Sequence, residues 1–176
     1  MAEFKNMETE RLILRRFIEE DADEFLNYRT SQEVRMYQGE GWENFKMEQC
    51  VEFIKEQMNF EPGIPDSWFQ IAIELKKSGE LIGDCAIHTL PVEKGLLEIG
   101  ITIKPAFQHR GYAAEAVKCL LNYLFNGLKI AKVIAIIDTR NENCRRLLEG
   151  LGMTNTEYDV SDESMYELLK ENWGVR

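Results

Sequence analysis

The sequence predicts a central mixed sheet flanked by helices, an α/β mixed sheet of the α+β class. Two observations indicate it: antiparallel hairpin patterns in the first half of the chain, and a strand–helix–strand–helix pattern in the second. A third is the lack of any repeat, linker or low-complexity block between the halves. With 176 residues, of which 44% are hydrophobic, the interpretation is a single domain over residues 1–176 with a core at about 8–170.

Hydrophobic periodicity and turn residues give the element order βααβββαβαββ. An acidic run at 19–24 suits a helix start because the helix dipole is positive there, and Asn141 is a good N-cap. A near-continuous apolar run at 132–138 is typical of a strand covered on both faces. The predicted strands are 11–17, 68–75, 81–89, 96–104, 132–138, 153–158 and 164–169, and the predicted helices are 19–28, 47–58, 111–125 and 141–151.

Charge and composition exclude several classes of partner. The chain has 21 basic and 31 acidic residues, a net charge of −10, which repels nucleic acid and anionic lipid and favours cationic partners. No apolar stretch approaches the roughly 20 residues of a membrane-spanning helix, and the N-terminus lacks a secretory pattern. Four separated cysteines without a Cys-x-x-Cys pair suit reduced, buried thiols. We therefore expect a cytoplasmic protein with no nucleic-acid partner, no membrane partner and no metal.

A polar loop with one central glycine, Gly111, lies between the strand that ends before Pro105 and the helix that follows. The first N–H groups of a helix lack intrahelical partners, and a glycine leaves room for an anion to approach them. Residues 101–118 carry a net charge of +2 and residues 138–146 a net charge of +1. This pattern favours a phosphorylated small ligand over a polyanion. The alternative is that helix ends merely collect caps and charges.

Several motifs resemble one enzyme family. Gln108-x-x-Gly111-x-Ala113 matches the Gln/Arg-x-x-Gly-x-Gly/Ala signature of the GNAT acetyl-CoA-dependent N-acetyltransferases. The surrounding motifs are similar to its RimJ/RimL-like (ribosomal-protein-acetyltransferase-like) branch: 9–15, 81–85, 98–101, 111–116, 141–144 and 151–153. The resemblance runs from about Glu8 to Trp173 and implies the GNAT acyl-CoA N-acyltransferase fold. It is strong because the motifs occur in the family's order and in matching elements.

The resemblance implies acetyl-CoA as co-substrate. Backbone groups of Ile101 and Ile103 would pair with the pantetheine arm, and backbone N–H groups of the glycine loop would hold the pyrophosphate. Asn141 matches a position whose side chain hydrogen-bonds pantetheine, although it equally suits a plain helix cap, and both roles are compatible. The loop residues implied in cofactor binding are Gln108, His109, Arg110, Gly111, Tyr112, Ala113 and Ala114. The side chain of His109 is expected to face solvent and to carry no proton chemistry.

Acetyl transfer by direct attack of an amine, within a ternary complex, requires a base, because an alkyl ammonium with a reference pKa near ~10.4 is protonated at neutral pH. Glu98 is the candidate, since strand alternation places it on the face opposite Ile99 and Ile101. It fits equally a solvated carboxylate or a charge that orients the substrate. The leaving sulfur needs a proton. A Ser commonly occupies the position of Cys144 in the resembling branch, so the acid role passes to this weaker donor.

The acceptor pocket is expected between residues 35–42, the strand ends near His88 and the last hairpin, with Tyr37 and Trp42 in its wall. Residues 1–60 carry 14 acidic and 8 basic side chains, which favours a small cationic amine or a protein N-terminus, although a plain acidic surface explains the charge as well.

An alternative function is an acyl-CoA-binding regulatory module without turnover, because the Ser and Tyr proton donors of the family are missing. The family resemblance also makes a homodimer an open alternative to a monomer. The chain departs from the branch in its short connection between Met153 and Tyr166.

Overall fold

Eight strands form one mixed sheet in the computed structural model, which describes residues 3–38, 42, 44–91, 96–158 and 160–174. The strands are β1 (Met7–Glu8), β2 (Leu12–Arg15), β3 (Ser67–Leu75), β4 (Leu81–Thr89), β5 (Leu96–Ile103), β6 (Lys132–Asp138), β7 (Thr154–Thr156) and β8 (Glu163–Leu169). The helices are α1 (Ala22–Arg29), α2 (Gln32–Arg35), α3 (Met47–Asn59), α4 (Tyr112–Asn122) and α5 (Glu142–Gly150). The strand order is β1-β2-β3-β4-β5-β6-β8-β7, and each neighbouring pair is antiparallel except β5 and β6.

The predicted fold class is confirmed, with two short additions, β1 and α2. The predicted helix 111–125 ends at Asn122 because the chain continues as a π-type turn, Tyr123–Gly127. The last predicted hairpin has a shorter first strand, β7, than the predicted 153–158. Parts of two predictions, residues 39–41 of the acceptor segment and 92–95 of a turn, lie outside the described residues.

The register of β3, β4 and β5 divides the sheet into two different faces. One face carries three cross-strand rows: Trp68–His88–Glu98, Gln70–Ala86–Gly100 and Ala72–Asp84–Thr102. The side chains between these rows, such as Ile71 and Ile87, belong to the apolar core on the opposite face. The β4–β5 ladder runs without interruption through Gly100. A register shift interrupts the β3–β4 ladder next to Ile73.

Helices cover both faces of the sheet. On the apolar face, α4 presents buried side chains at spacings of one, three and one residues, which form a single helical stripe: Ala116, Val117, Leu120 and Leu121. On the other face α1 and α3 pack together, and Phe25, Cys50 and Ile54 form a second buried cluster with Ala72. No helix among the described residues has the length and apolar character needed to cross a bilayer.

The parallel strands β5 and β6 pair only at their beginnings, Leu96–Glu98 with Lys132–Ile134. Beyond this point β5 remains paired to β4, and β6 to β8. Because each strand follows its outer neighbour, the two diverge and leave a wedge in the middle of the sheet. Backbone N–H and C=O groups that face such a wedge need other partners.

Candidate active site

A cavity of about 1240 Å³ occupies the wedge and continues onto the sheet face beneath α1 and α3. Its walls include the end of β5, the second half of β6, the loop before α4 and the start of α5. Single ligands usually occupy pockets of about 300–1,000 Å³, so this cavity has room for two molecules side by side.

The phase of the β4–β5 ladder determines which backbone groups of β5 face the wedge. The N–H of Lys104 donates to the carbonyl of Ile82, at 2.8 Å. Because hydrogen-bonded and non-bonded residues alternate in an antiparallel pair, Thr102 and Gly100 also bond to β4. Ile101 and Ile103 therefore direct their N–H and C=O groups into the wedge. The N–H and C=O groups of Ile101 and the N–H of Ile103 thus face the wedge, while the carbonyl of Ile103 already accepts a hydrogen bond from the side chain of Gln108.

The loop before α4 makes a tight turn through two left-handed residues, His109 (φ 59°) and Gly111 (φ 80°). Gly111 is the N-cap of α4, so the unpaired N–H groups of the first helical turn border the cavity. The side-chain amide of Gln108 donates to the carbonyl of Ile103 at 2.9 Å and holds the loop against the end of β5. The side chain of His109 is exposed, as expected from the sequence. Arg110 does not line the cavity.

The N-terminal motif 9–15 fastens this loop, a role that sequence reasoning missed. Glu115, in the first turn of α4, accepts hydrogen bonds from the Thr9 hydroxyl (2.5 Å), the Arg11 backbone (2.9 Å) and the Arg11 Nε (2.6 Å). Arg11 also donates to the carbonyl of Arg110 (3.1 Å) and lies 4.4 Å over the ring of Tyr112. Although burial raises the pKa of Glu115, the bonds from Thr9 and Arg11 outweigh it and lower the pKa below its usual range. The carboxylate thus stays charged and holds the loop.

Much of the positive charge predicted around the loop is paired with carboxylates of the protein itself. The ammonium of Lys104 bonds to Glu24 at 2.6 Å and Glu80 at 3.0 Å. The guanidinium of Arg145 bonds to Glu142 at 2.7 Å. Attraction for an anion therefore depends on backbone N–H groups of the loop more than on the net charge of the segment.

Glu98 lines the cavity at the point where β5 and β6 separate. Its carboxylate lies 3.0 Å from Nδ1 of His88, the adjacent residue on β4. The other ring nitrogen of His88 lies 3.7 Å from the exposed carboxylate of Asp66, and the ring of Trp68 stacks on His88 at 4.6 Å. His88 does not line the cavity, in contrast to its predicted place in the acceptor wall. The cross-strand register sets its ring beside Glu98 instead.

Asn141 and Cys144 border the cavity from the start of α5. The side-chain oxygen of Asn141 accepts a hydrogen bond from the backbone N–H of Cys144 at 3.1 Å, so Asn141 caps the helix. Burial raises the pKa of the Cys144 thiol to about 11. The thiol is therefore protonated at neutral pH. The four cysteines are free thiols in the structure, and Cys50 and Cys85 are fully buried.

The predicted aromatic residues Tyr37 and Trp42 both line the cavity. Trp42 packs edge-on against Phe25 (5.7 Å) and Phe53 (6.1 Å), and the guanidinium of Arg29 lies 4.7 Å over its ring. Trp42 is thus packed against both α1 and α3. This arrangement forms one side of the cavity.

A buried polar network, also missed from the sequence, ties this side to the sheet. Arg29 makes two hydrogen bonds to Asp84 (2.5 and 3.1 Å), and the Tyr28 hydroxyl donates a third (2.6 Å). Arg29 also donates to Gln38 (2.8 Å), which donates to Thr102 of β5 (2.8 Å). Burial raises the pKa of Tyr28 well above its usual value, so its hydroxyl remains a donor. The sequence signal was a lone aspartate inside an otherwise apolar strand.

No group of three or more His, Cys, Asp and Glu side chains within the described part of the chain is arranged to hold a metal ion. The features that converge on the cavity are instead a helix N-terminus, free strand edges, a carboxylate and a thiol. They suit a ligand with a phosphate group and an extended arm.

Comparison with known proteins identifies the family to which the chain belongs. Residues 11–154 match the acetyltransferase (GNAT) domain family. The chain is 31% identical over 151 residues to the uncharacterized N-acetyltransferase YoaA of Bacillus subtilis (strain 168), covering 85% of this chain and 82% of that protein. It is 28% identical over 178 residues to the uncharacterized N-acetyltransferase p20 of Bacillus licheniformis, covering 94% and 96%.

Solved structures share the whole fold. A GNAT-family acetyltransferase from Bacillus anthracis superimposes with a TM-score of 0.83 at 26% identity, covering 95% of this chain and 99% of the other. The ribosomal-protein-S5-alanine acetyltransferase of Vibrio fischeri has the same fold, with a TM-score of 0.76 at 16% identity and coverage of 97% and 99%. The chain therefore belongs to the GNAT acetyltransferase family and is an N-acetyltransferase of that type.

Proposed function

We propose that the enzyme transfers the acetyl group of acetyl-CoA to a primary amine, on a small cationic molecule or a protein N-terminus, by direct attack in a ternary complex. The observation that carries this proposal is a single cavity that joins the α4 loop, the wedge between β5 and β6, and Glu98. Members of the GNAT family use acetyl-CoA as co-substrate. It supplies a thioester, an acyl group activated toward amines.

The residues of the cavity fit this co-substrate. The turn at Gly111 has a positive φ, and a Cβ there would lie 3.4 Å from the Arg11 guanidinium, so the loop suits glycine. The N–H groups of 109–114 would bind the pyrophosphate. Ile101 offers a backbone donor and acceptor to the pantetheine and Ile103 a backbone donor, and the Asn141 amide borders the same space. The loop residues therefore bind mainly through their backbone, while Gln108 holds the loop in place.

Glu98 serves as the base that takes the proton of the incoming ammonium. Its side chain is 13% exposed and lines the cavity at the point where β5 and β6 separate. His88 holds the carboxylate in position through the 3.0 Å contact. The other ring nitrogen of His88 lies 3.7 Å from the exposed carboxylate of Asp66, so the imidazole stands between two carboxylates.

Cys144 assists departure of the sulfur from the opposite wall. Its raised pKa keeps the S–H intact at neutral pH, so it donates a hydrogen bond to the developing thiolate. A thiol is a weak donor, which predicts a modest contribution from this residue.

The test compares acetyl transfer by Glu98→Gln and by wild type to a panel of amines and peptide N-termini. The measured quantity is the release of free thiol from acetyl-CoA. Loss of a general base lowers kcat by about 10²–10⁴-fold, while calorimetry shows unchanged affinity for coenzyme A. Glu171→Gln, which removes an exposed carboxylate outside the cavity, is the control and retains wild-type kcat. Unchanged kcat in Glu98→Gln removes Glu98 from the mechanism. Binding of coenzyme A without thiol release for any amine supports the regulatory module instead.

A further inference from the structure

Trp68 is a large apolar side chain that stays partly exposed in the wall of the cavity. It lies in β3, lines the cavity and is 38% exposed, whereas tryptophan is highly buried on average in folded proteins. Aromatic rings contribute to stability through the area that they bury, so an open ring leaves part of that contribution unused. A ligand in the cavity can supply the missing contact.

One face of the Trp68 indole is covered by His88. The two rings stack with their centres 4.6 Å apart and 13° between their planes. Trp68 lines the cavity and His88 does not, so the indole stands between the imidazole and the cavity. In the described part of the chain no second aromatic ring stacks on the indole. Its other face therefore looks into the cavity.

Small residues form the floor in front of this open face. The next row of the sheet carries Ala86 on β4 and Gly100 on β5, and both line the cavity. A Cβ at Gly100 would lie 3.8 Å from the Trp68 ring and 3.5 Å from the Cβ of Ala86. The edge of the indole thus reaches across β4 as far as β5. Because Gly100 has no side chain, the space above it is open to a flat group beside the indole.

The same imidazole relates Trp68 to the proposed base. The carboxylate of Glu98 lies 3.0 Å from Nδ1 of His88, the ring on which the indole stacks. The carboxylate and the centre of the indole are therefore no farther apart than these two contacts and the radius of one imidazole. An aromatic ring joined to an amine by two carbon atoms spans that distance, because a hydrogen bond of about 2.9 Å at one end and a stacking contact of about 4.5–7 Å between ring centres at the other add to its own length.

We propose that Trp68 determines acceptor specificity: the acceptor is a primary amine joined by a short linker to a planar aromatic ring, which stacks on the open face of the indole while the amine bonds to Glu98. Aromatic pairs in offset stacking gain more than the area that they bury, and a saturated ring of the same size lacks this gain. The inference rests on the proposed function, because it takes the amine to bind at Glu98. It narrows the acceptor from any cationic amine to one that carries an aromatic ring close to its nitrogen.

The experiment uses acceptors that are matched in size and differ in the flatness of the ring. Phenethylamine is compared with cyclohexylethylamine, and a tripeptide that begins with phenylalanine is compared with one that begins with cyclohexylalanine. In the wild-type enzyme the aromatic member of a pair has the higher kcat/KM, by about three- to tenfold, the effect of one aromatic stacking contact. This preference in either pair supports the inference, and the pair with the higher kcat/KM shows whether a small amine or a chain terminus is the source of the chemistry.

Three variants separate recognition of the ring from catalysis. Trp68→Leu abolishes the preference within each pair; the ratio of the two kcat/KM values is the readout, because a disturbance of Glu98 alters both members alike. Gly100→Ala places a methyl group in the space beside the indole with only ordinary contacts, and it lowers kcat/KM for phenethylamine by about tenfold or more and for propylamine by less. Tyr158→Leu, which removes an aromatic ring of equal exposure (37%) outside the cavity, keeps the wild-type ratios.

Equal kcat/KM for both members of each pair, or a preference that survives in Trp68→Leu, overturns the inference while acetyl transfer itself stands. If Trp68→Leu does not fold, Gly100→Ala decides, since unchanged kcat/KM for phenethylamine in that variant overturns the inference too. A higher kcat/KM for putrescine than for phenethylamine has the same consequence, because a second ammonium then lies over the indole in place of a ring. Failure of every amine to release thiol contradicts the proposed function, and the inference falls with it.

Discussion

Cys144 shows how the surroundings of one side chain set its chemistry. Burial raises the pKa of its thiol to about 11, whereas an unperturbed thiol titrates near ~8.5. The pKa of Cys144 is thus higher than that of an ordinary thiol such as the leaving group. At equilibrium the proton therefore stays on Cys144 and does not pass to the leaving thiolate. In the proposed reaction Cys144 therefore stabilises the leaving sulfur by hydrogen bonding and does not give up its proton.

We predict that Cys144→Ala lowers kcat by only about three- to tenfold, the effect of one modest hydrogen bond. Cys144→Ser equals or exceeds wild type, because a hydroxyl is a stronger donor than a thiol. The measurement is kcat at saturating acetyl-CoA and amine, with coenzyme A affinity as the check on folding. A loss beyond about 100-fold in Cys144→Ala contradicts a hydrogen-bonding role and makes full proton transfer from this residue necessary.

At the scale of the element, the loop before α4 depends on contacts from the distant turn between β1 and β2. Its turn needs two left-handed residues, and Glu115 holds it to Thr9 and Arg11 at the other end of the sequence. The loop is thus presented to the cavity in one conformation before any ligand binds. Preorganisation of this kind reduces the entropy cost of binding.

Gly111→Ala tests this arrangement against a matched control, Gly79→Ala. Both glycines have a similar positive φ (80° and 73°), but a Cβ at Gly79 meets nothing within 4 Å, whereas one at Gly111 meets Arg11. Each substitution costs about 1–2 kcal/mol in backbone strain. Only Gly111→Ala also weakens coenzyme A binding in calorimetry. Equal affinity in the two variants would show that the loop does not hold the ligand.

At the scale of the whole molecule, the Arg29–Asp84 pair joins the two sides of the cavity. Asp84 is 1% exposed and Arg29 6% exposed, and the network continues through Gln38 to Thr102 of β5. Helix α1, strand β4 and strand β5 are thus parts of one hydrogen-bonded unit. Its geometry depends on each member being paired.

We predict that Asp84→Asn destabilises the protein by about 3–5 kcal/mol, because it leaves the Arg29 guanidinium buried without its counter-charge. The double variant Asp84→Leu with Arg29→Met recovers most of that loss, since no charge remains buried. Urea denaturation measures both. Glu142→Gln, which removes one partner of an exposed pair with Arg145, leaves the midpoint unchanged. A midpoint for Asp84→Asn as high as that of wild type would show that the pair is not essential to the fold.

Part of the site followed from local pattern. The glycine loop was predictable because a strand end, a polar turn and a helix start are encoded within about ten consecutive residues. Asn141 was recognised as a cap for the same reason. The role of motif 9–15 was not, because Arg11 and Glu115 are 104 residues apart.

The sequence alone determined most of the strands and helices, their order, and the family they resemble, since these depend on periodicity and on short motifs; the short elements β1 and α2 escaped it. Only the tertiary structure decided that β5 and β6 diverge after Glu98 and that the His88 ring lies beside that carboxylate. The physical reason is that strand register and the exclusion of water are set by pairing between distant residues. Periodicity along the chain shows which face a residue occupies, but not which residue lies opposite it.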